Sequence, residues 1–246
     1  MQHLVVRYAK RGKMRFASHR DVARAFERGV RRAGLPIAHS AGFTPHPKIS
    51  YAGGAPTGVA SEAEYLSLAL TARQAETQVC RRLNAALPDG IDVIDVTEAG
   101  GDGNPSAGSS STRSGGFGHL EASEWRMVLP GVAPEVARRA VARFLARTEV
   151  PVERLTDKGV RRMDARAALI EMTVLDDGVE TGSDGCAILR MVVLHTAPAV
   201  RPEDIVTALR EQDGIVPSSP PMITRLAQGQ RAQLTGQTLP AGEGVS

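Results

Sequence analysis

Residues 2–33 of this 246-residue chain, QHLVVRYAKRGKMRFASHRDVARAFERGVRRA, contain the two patterns from which the fold is predicted. Apolar residues at every second position from Leu4 to Tyr8 predict a β-strand. After a basic turn, apolar residues recur every three or four positions from residue 20 to residue 33, which predicts a helix. Ser18 is a residue type that caps helix N-termini. The chain therefore begins with a strand followed by a helix.

The remainder of the first half continues this alternation. Short strands are predicted over residues 37–39, 49–52, 65–70 and 91–96, with a second helix over residues 74–87 that ends at Pro88-Asp89-Gly90. The second half repeats the order. Strands are predicted over residues 125–129, 152–155, 167–175, 187–195 and 223–226, with helices over 135–148 and 202–212. The sequence thus predicts an α+β protein of two tandem ferredoxin-like (βαββαβ) domains.

A stretch of small polar residues separates the halves. Residues 100–118, GGDGNPSAGSSSTRSGGFG, contain only Phe117 as an anchoring side chain, so their burial cannot offset their ordering entropy. We therefore expect a domain over 1–98, a disordered linker over 99–118, a domain over 119–228 and a disordered tail over 229–246.

Composition excludes several classes of protein. The chain has two cysteines, Cys80 and Cys186, in no metal-binding or disulfide-scaffold spacing, and no apolar run long enough for a signal peptide or a membrane span. It lacks GxxxxGK[ST], GxGxxG after a strand, HExxH and GxSxG. We expect a cytoplasmic protein that holds no metal and no cofactor.

The charge is unevenly distributed along the chain. The net charge is +3, but residues 1–50 contain eleven Lys or Arg residues against two acidic residues, a local charge of +9. A basic end on an otherwise acidic chain predicts an anionic partner such as RNA.

The helix over residues 20–33 carries four arginines on one face. Guanidinium groups match phosphate oxygens bidentately, although a row of charges is also typical of an ordinary solvated helix face. Lys10, Arg11, Lys13 and Arg15 precede the helix. The predicted RNA-binding residues are Lys13, Arg15, Arg20, Arg24, Arg28, Arg31, His46 and Lys48.

The loop over residues 42–50, GFTPHPKIS, holds His46 between two prolines, which stiffen the backbone around the imidazole. His46, His19 and Lys48 are the candidates for acid–base or phosphate chemistry. The alternative is a rigid connector whose Phe43 fills the core. We expect the loop to line the principal concave site together with the basic helix. Farther along, Glu62 and Glu64 could pair with the basic helix or bind a cation, but we expect them on a solvated strand edge.

The first half resembles a known family. The resemblance rests on RFASHRDVARAFER (residues 15–28), RAGLP (32–36), SAGFTPHPKIS (40–50), Gly58-Val59 and residues 62–66, with weaker points at 164–166 and 201–202. These segments resemble the radical-SAM-linked family, a domain of unknown function found alone or fused to cobalamin-binding radical SAM proteins. The resemblance implies a radical SAM enzyme or a ribonuclease of the E/G type as partner.

Three functions remain open from the sequence, and a binding module is favoured over an enzyme. The first is an accessory protein that binds tRNA or rRNA through its basic first domain for a partner enzyme. The second is a metal-independent RNA-cleaving or RNA-modifying enzyme, in which His46 or His19 moves a proton and Lys48 stabilises the developing charge. The third is a protein-interaction subunit of a radical SAM enzyme, with the arginines set against an acidic surface.

Overall fold

The computed structural model describes residues 1–99, 117, 120–156, 159–175 and 185–235. The first half contains β1 (Gln2–Lys10), a 3₁₀ helix (Gly12–Phe16), α1 (His19–Arg32), β2 (Ile49–Tyr51), β3 (Ala60–Leu70), α2 (Glu76–Ala86) and β4 (Ile91–Glu98). Its strands lie in the order β4-β1-β3-β2, with every pair antiparallel. This order is that of a ferredoxin-like fold.

The second half repeats the arrangement with additions. It contains β5 (Ala122–Pro130), α3 (Pro134–Ala146), β6 (Pro151–Thr156), β7 (Gly159–Asp164), α4 (Ala165–Ala168), β8 (Leu169–Leu175), β9 (Cys186–Leu194), α5 (Pro202–Asp213), β10 (Met222–Gly229) and α6 (Arg231–Leu234). The strand order is β10-β5-β9-β8, and β6 and β7 form a separate hairpin.

The halves meet along one sheet. β10 pairs in parallel with the start of β3, through Thr224 opposite Ala60 and Arg225 opposite Ser61. β2 pairs with the other end of β3, so β2 and β10 follow each other along the same edge of that strand. The molecule is therefore a mixed α+β protein built on a mostly antiparallel sheet of eight strands within the described residues.

Alternation along the strands explains the core of the first half. The residues that recur at every second position of β1 and β3 are buried against the helices, and so are the inward positions of α1. This core contains Leu4, Val6, Tyr8, Val22, Phe26, Val30, Leu66, Leu68 and Leu70. The second half has its own, larger core around Trp125, Met127, Phe144, Leu189 and Met191.

The structure extends or corrects several predicted boundaries. The predicted strand over 167–175 begins as the short helix α4, and β7 was missed because its residues are mostly exposed. Regular structure continues past residue 228 into α6, where Leu234 is buried. Phe117 is also buried. The other residues of the predicted linker from 100 onward, and residues 236–246 of the predicted tail, lie outside the described residues. In the described part of the chain, no helix is long and apolar enough to cross a membrane.

Candidate nucleic-acid interface

A capping box fixes the start of α1. The Asp21 backbone N–H donates to the Ser18 hydroxyl at 3.2 Å, and the Ser18 backbone N–H donates to the Asp21 carboxylate at 3.1 Å. This pair satisfies two backbone donors that a helix N-terminus otherwise leaves unpaired. From that start, Val22, Phe26 and Val30 face the sheet and are buried. The opposite face of α1 is left to solvent.

The solvent face of α1 carries the arginine stripe. Arg20, Arg24, Arg28 and Arg31 are all exposed, with the spacing that aligns side chains along one side of a helix. None of the four forms an ion pair or a side-chain hydrogen bond with another residue that the structure describes. Four guanidinium groups are therefore available to an external anion.

The acidic residues of α1 leave the stripe positive. Asp21 is held in the capping box, where hydrogen bonds from the N-cap residue lower its pKa and the arginines on the following turns lower it further. Glu27 is exposed and makes no ion pair within the described ranges. The next acidic residue in the sequence is Glu62, so residues 28–61 contain no carboxylate side chain.

The four cations before α1 divide into two pairs. Lys10 is buried, and Arg11 forms ion pairs with two carboxylates, so neither charge is available to a partner. Lys13 is exposed on the 3₁₀ helix. The Arg15 guanidinium lies 4.6 Å from the centroid of the Phe16 ring. Of the four, Lys13 and Arg15 are the ones that can extend the stripe.

A concave surface of about 380 Å³ lies at the carboxyl ends of α1 and α2. It is lined by Arg32, Ala33, Arg82, Ala85, Ala86 and Leu87. The Arg82 side chain donates to the Gly34 carbonyl at 3.0 Å, whereas Arg32 is exposed and bonds no side chain of the described residues. Arg32 thus adds a fifth unpaired guanidinium to α1.

The loop around His46 is a hairpin that connects α1 to β2. His39 pairs with Pro47, the Ser40 N–H donates to the His46 carbonyl at 2.9 Å, and the His46 N–H donates to the Ser40 hydroxyl at 3.0 Å. His46 and Lys48 are exposed. The concave surface at the ends of α1 and α2 is not lined by this loop, and whether the loop lines the principal concave site stays a prediction. Phe43 is fully exposed, so the alternative in which Phe43 fills the core is wrong.

The two candidate histidines lie on different elements. His19 occupies the first turn of α1, and its ring packs edge-on against Tyr51, with 5.2 Å between the centroids. Burial, with a smaller contribution from Glu27, raises the pKa of Tyr51. Among the described residues, no hydrogen bond or ring contact joins His19 to His46.

A buried ion pair joins the halves, and sequence reasoning missed it. The Arg225 guanidinium donates to the Glu64 carboxylate at 3.1 Å and to the Gly53 carbonyl at 3.0 Å, and it lies 4.6 Å from the centroid of the Trp125 ring. Glu64 and Arg225 are 3% and 5% exposed. Glu64 is not on a solvated strand edge, because β10 of the second half lies beside β3.

Lys10 completes this cluster. Its ammonium donates to the Ala55 and Pro56 carbonyls at 3.1 Å and 3.3 Å, while the Ala55 N–H donates to the Glu64 carboxylate at 3.1 Å. Burial lowers the pKa of Lys10, and the nearby Glu64 carboxylate opposes that shift. The charges hold the backbone of residues 53–56 across the join, which is a structural role.

A hydrogen bond between a serine and a histidine side chain lies in the second half. The Ser123 hydroxyl is 2.7 Å from His195 Nε2, and His195 Nδ1 is 2.8 Å from the Leu120 carbonyl oxygen. Ser123 is 1% exposed, so its hydroxyl cannot meet a substrate. Among the described residues, no group of three or more His, Cys, Asp or Glu side chains is placed to hold a metal ion.

The fold and the helix surface define a mixed α+β protein with a basic helix face whose arginines pair with none of the residues that the structure describes. The chain belongs to the family described as "Uncharacterized protein conserved in bacteria (DUF2344)", whose model matches residues 3–202. No curated protein matches the chain.

Two solved structures are similar to this chain, both at low sequence identity and low TM-score. One is an unknown protein from Galdieria sulphuraria, at 13% identity and a TM-score of 0.25. The other comprises the first two RRM domains of the yeast poly(U) binding protein Pub1, at 14% identity and a TM-score of 0.24. Each alignment covers 91% of this chain and 98% of the other. At these TM-scores neither likeness carries an argument.

Proposed function

We propose that this chain is an RNA-binding accessory protein that holds a structured RNA on its basic first half. The observation that supports it is the solvent face of α1, which exposes five arginines with no ion pair to any described residue. Guanidinium groups bind phosphate oxygens bidentately. From Arg20 to Arg31 the stripe is about 16 Å long at the rise of an α-helix, enough to contact several phosphates.

The partner is proposed from the resemblance of residues 1–98 to the radical-SAM-linked family. That resemblance supports a cytoplasmic radical SAM enzyme, or a ribonuclease of the E/G type, as the protein that would act on the bound RNA. We also propose that the halves are two tandem ferredoxin-like domains, because each has the same strand order. The sheet they share would then hold both domains in one orientation toward the RNA.

Salt dependence tests the binding. The full chain is titrated against a labelled tRNA-sized transcript by fluorescence anisotropy over a range of salt concentrations. Four phosphate contacts predict a slope of log K against log salt of about −3 to −4. The variant Arg24→Glu/Arg28→Glu should lower the low-salt affinity at least about tenfold and flatten that slope. The matched control Arg139→Glu/Arg210→Glu, which makes the same charge change on exposed positions of α3 and α5, should bind as the wild type.

Two outcomes would reject the proposal. One is no detectable affinity at low salt, and the other is an affinity that Arg24→Glu/Arg28→Glu leaves unchanged. A cleavage assay and a partner-capture experiment with the same variants address the other functions. Cleavage of the transcript without metal, lost on replacement of His46 or His19 by Ala, would favour the enzyme. A partner protein whose capture survives nuclease treatment but not the charge reversal would favour the protein-interaction subunit.

A further inference from the structure

The hairpin over residues 39–47 exposes an aromatic ring that is not part of either hydrophobic core. Phe43 has a relative exposure of 109%, in a chain with only five phenylalanines. Phe26 and Phe144, by contrast, are completely buried. A fully exposed ring gains nothing from burial in this molecule, because no core lies against it. Other large apolar side chains are exposed as well, among them Phe16 at 59%, but Phe43 is the one whose whole ring is open to a partner that could stack on it.

The surroundings of Phe43 are cationic or neutral. His39 and His46 are exposed on the same hairpin, and Lys48 is exposed directly after it. The hairpin lies within residues 28–61, which contain no acidic residue, and it follows the carboxyl end of α1, where Arg31 and Arg32 are unpaired. The segment thus offers an exposed ring together with Lys48 and the arginines at the end of α1, and it contains no carboxylate, which makes it complementary to a polyanion that also has flat apolar faces.

We propose that Phe43 stacks on an unpaired base of a single-stranded RNA segment while the neighbouring cations contact its phosphates. The inference rests on the proposed RNA binding and adds the kind of RNA that the site takes. Proteins bind unstacked bases on aromatic side chains, whereas the bases of a duplex are not accessible to such a ring. A single ring flanked by Gly42 and Thr44 is far smaller than the apolar patch of a stable protein interface. A base is about the size of the ring, so it fits the exposed surface.

The second half provides an internal control. Its β6–β7 hairpin is inserted at the equivalent point, between the first helix of the half and the next strand of the sheet. Leu155 and Val160 pair across that hairpin and are 80% and 58% exposed. This hairpin presents aliphatic side chains, which cannot stack on a base as a ring does. Leu155→Ala therefore removes a comparable exposed apolar group without removing a stacking partner.

The test compares two RNA probes with the full chain. One is a labelled single-stranded oligonucleotide, and the other is the same oligonucleotide annealed to its complement. Phe43→Ala should lower the affinity for the single strand about 5- to 150-fold, the range for one base–aromatic stack, and leave the duplex affinity unchanged. Phe43→Trp should retain single-strand binding within about twofold, since every base has a face on which an aromatic ring stacks. The salt slope should be the same in all Phe43 variants, because no phosphate contact is removed. Leu155→Ala should bind both probes as the wild type does.

The results that would contradict the proposed function differ from those that would contradict only the inference about Phe43. If the wild type binds neither these probes nor the tRNA-sized transcript at low salt, both the proposed function and this inference fall, whereas binding of the transcript alone overturns only the inference. If the wild type binds RNA but Phe43→Ala binds the single strand equally well, only the inference falls. Equal losses for single strand and duplex, or a similar loss in Leu155→Ala, would also overturn it. In another outcome, Phe43→Ala leaves the RNA affinity unchanged and abolishes binding of a protein partner. That result would show that the hairpin binds a protein, and it would overturn the inference as well.

Discussion

The first helices of the two halves, α1 and α3, occupy the same place in the order of elements but differ in what their arginines contact. On α3, Arg138 pairs with Glu135 one turn away, and Arg143 pairs with Asp213 at the end of α5. Arg147, just after α3, pairs with Asp213 as well, at 2.8 Å. The α1 stripe makes no such pairs with any residue in the described ranges. Arginine content therefore does not by itself give a binding surface, since the position of acidic partners decides whether the charge remains available.

The join between the halves shows a third environment for arginine. The guanidinium of Arg225 is buried, so its charge depends on Glu64 and on backbone carbonyls for compensation. Charges with the same chemistry are thus exposed and unpaired on α1, paired near the surface on α3, and buried at the join. These environments predict very different costs for removing one charged group.

The largest effect is expected at the join. Arg225→Met leaves the Glu64 carboxylate buried without its partner, and breaking a buried pair in this way costs about 3–5 kcal/mol of unfolding free energy. The matched variant Arg24→Met on α1 should change that free energy by less than about 0.5 kcal/mol, because the side chain is exposed and unpaired. Urea unfolding followed by circular dichroism measures both.

A double variant sharpens this result. Glu64→Met/Arg225→Met removes both charges, so it should be more stable than Arg225→Met alone, since no buried charge is left without compensation. If Arg225→Met costs no more than Arg24→Met, the ion pair does not stabilise the join.

A smaller effect is expected between α3 and α5. Asp213→Ala removes the acceptor shared by Arg143 and Arg147, but both arginines are partly open to water and can be rehydrated. We expect a loss of about 1–2 kcal/mol in unfolding free energy, in the range of a charge-assisted hydrogen bond. Glu27→Ala, the corresponding removal of an acid from α1, should have no measurable effect on urea unfolding. Equal results for the two variants would contradict the difference between the helices.

Local patterns in the sequence predicted most elements of the first half. Strand alternation located β1 and β4, and the cap at Ser18 located the start of α1 within one residue. The four arginines of the stripe were also placed on the exposed face correctly, because a helix with a clear apolar side determines where its other residues point.

Pairing across long sequence distances was not predictable in the same way. Glu64 and Arg225 are separated by 161 positions, and neither residue's neighbours indicate that β3 and β10 lie side by side. One signal was present, since Arg225 stands two residues after the inward-facing Ile223 in a predicted strand, where a charged side chain is unusual. The exposure of Phe43 was not predictable from the prolines around His46, because prolines indicate a stiff backbone without specifying the direction in which it projects.

The smallest predicted effect is a pH dependence that connects the second half to the join. Burial lowers the pKa of His195, the hydrogen bond to the Leu120 carbonyl opposes this shift, and the charge of Arg225 lowers the pKa further. The folded chain therefore keeps His195 neutral at pH values where the unfolded chain, with a histidine pKa of about 6.5, already binds a proton. The resulting stability is fully present above about pH 6.5 and is lost as the pH falls from there through the lower folded-state pKa.

Unfolding free energies measured from about pH 7.5 to 5 should fall more steeply for the wild type than for His195→Gln. Arg225→Met should lessen the steepness, because it removes a positive charge that disfavours protonation of His195. Parallel curves for the wild type and His195→Gln would show that His195 titrates alike in the folded and unfolded chains. They would also show that the charge of Arg225 does not change the pKa of His195.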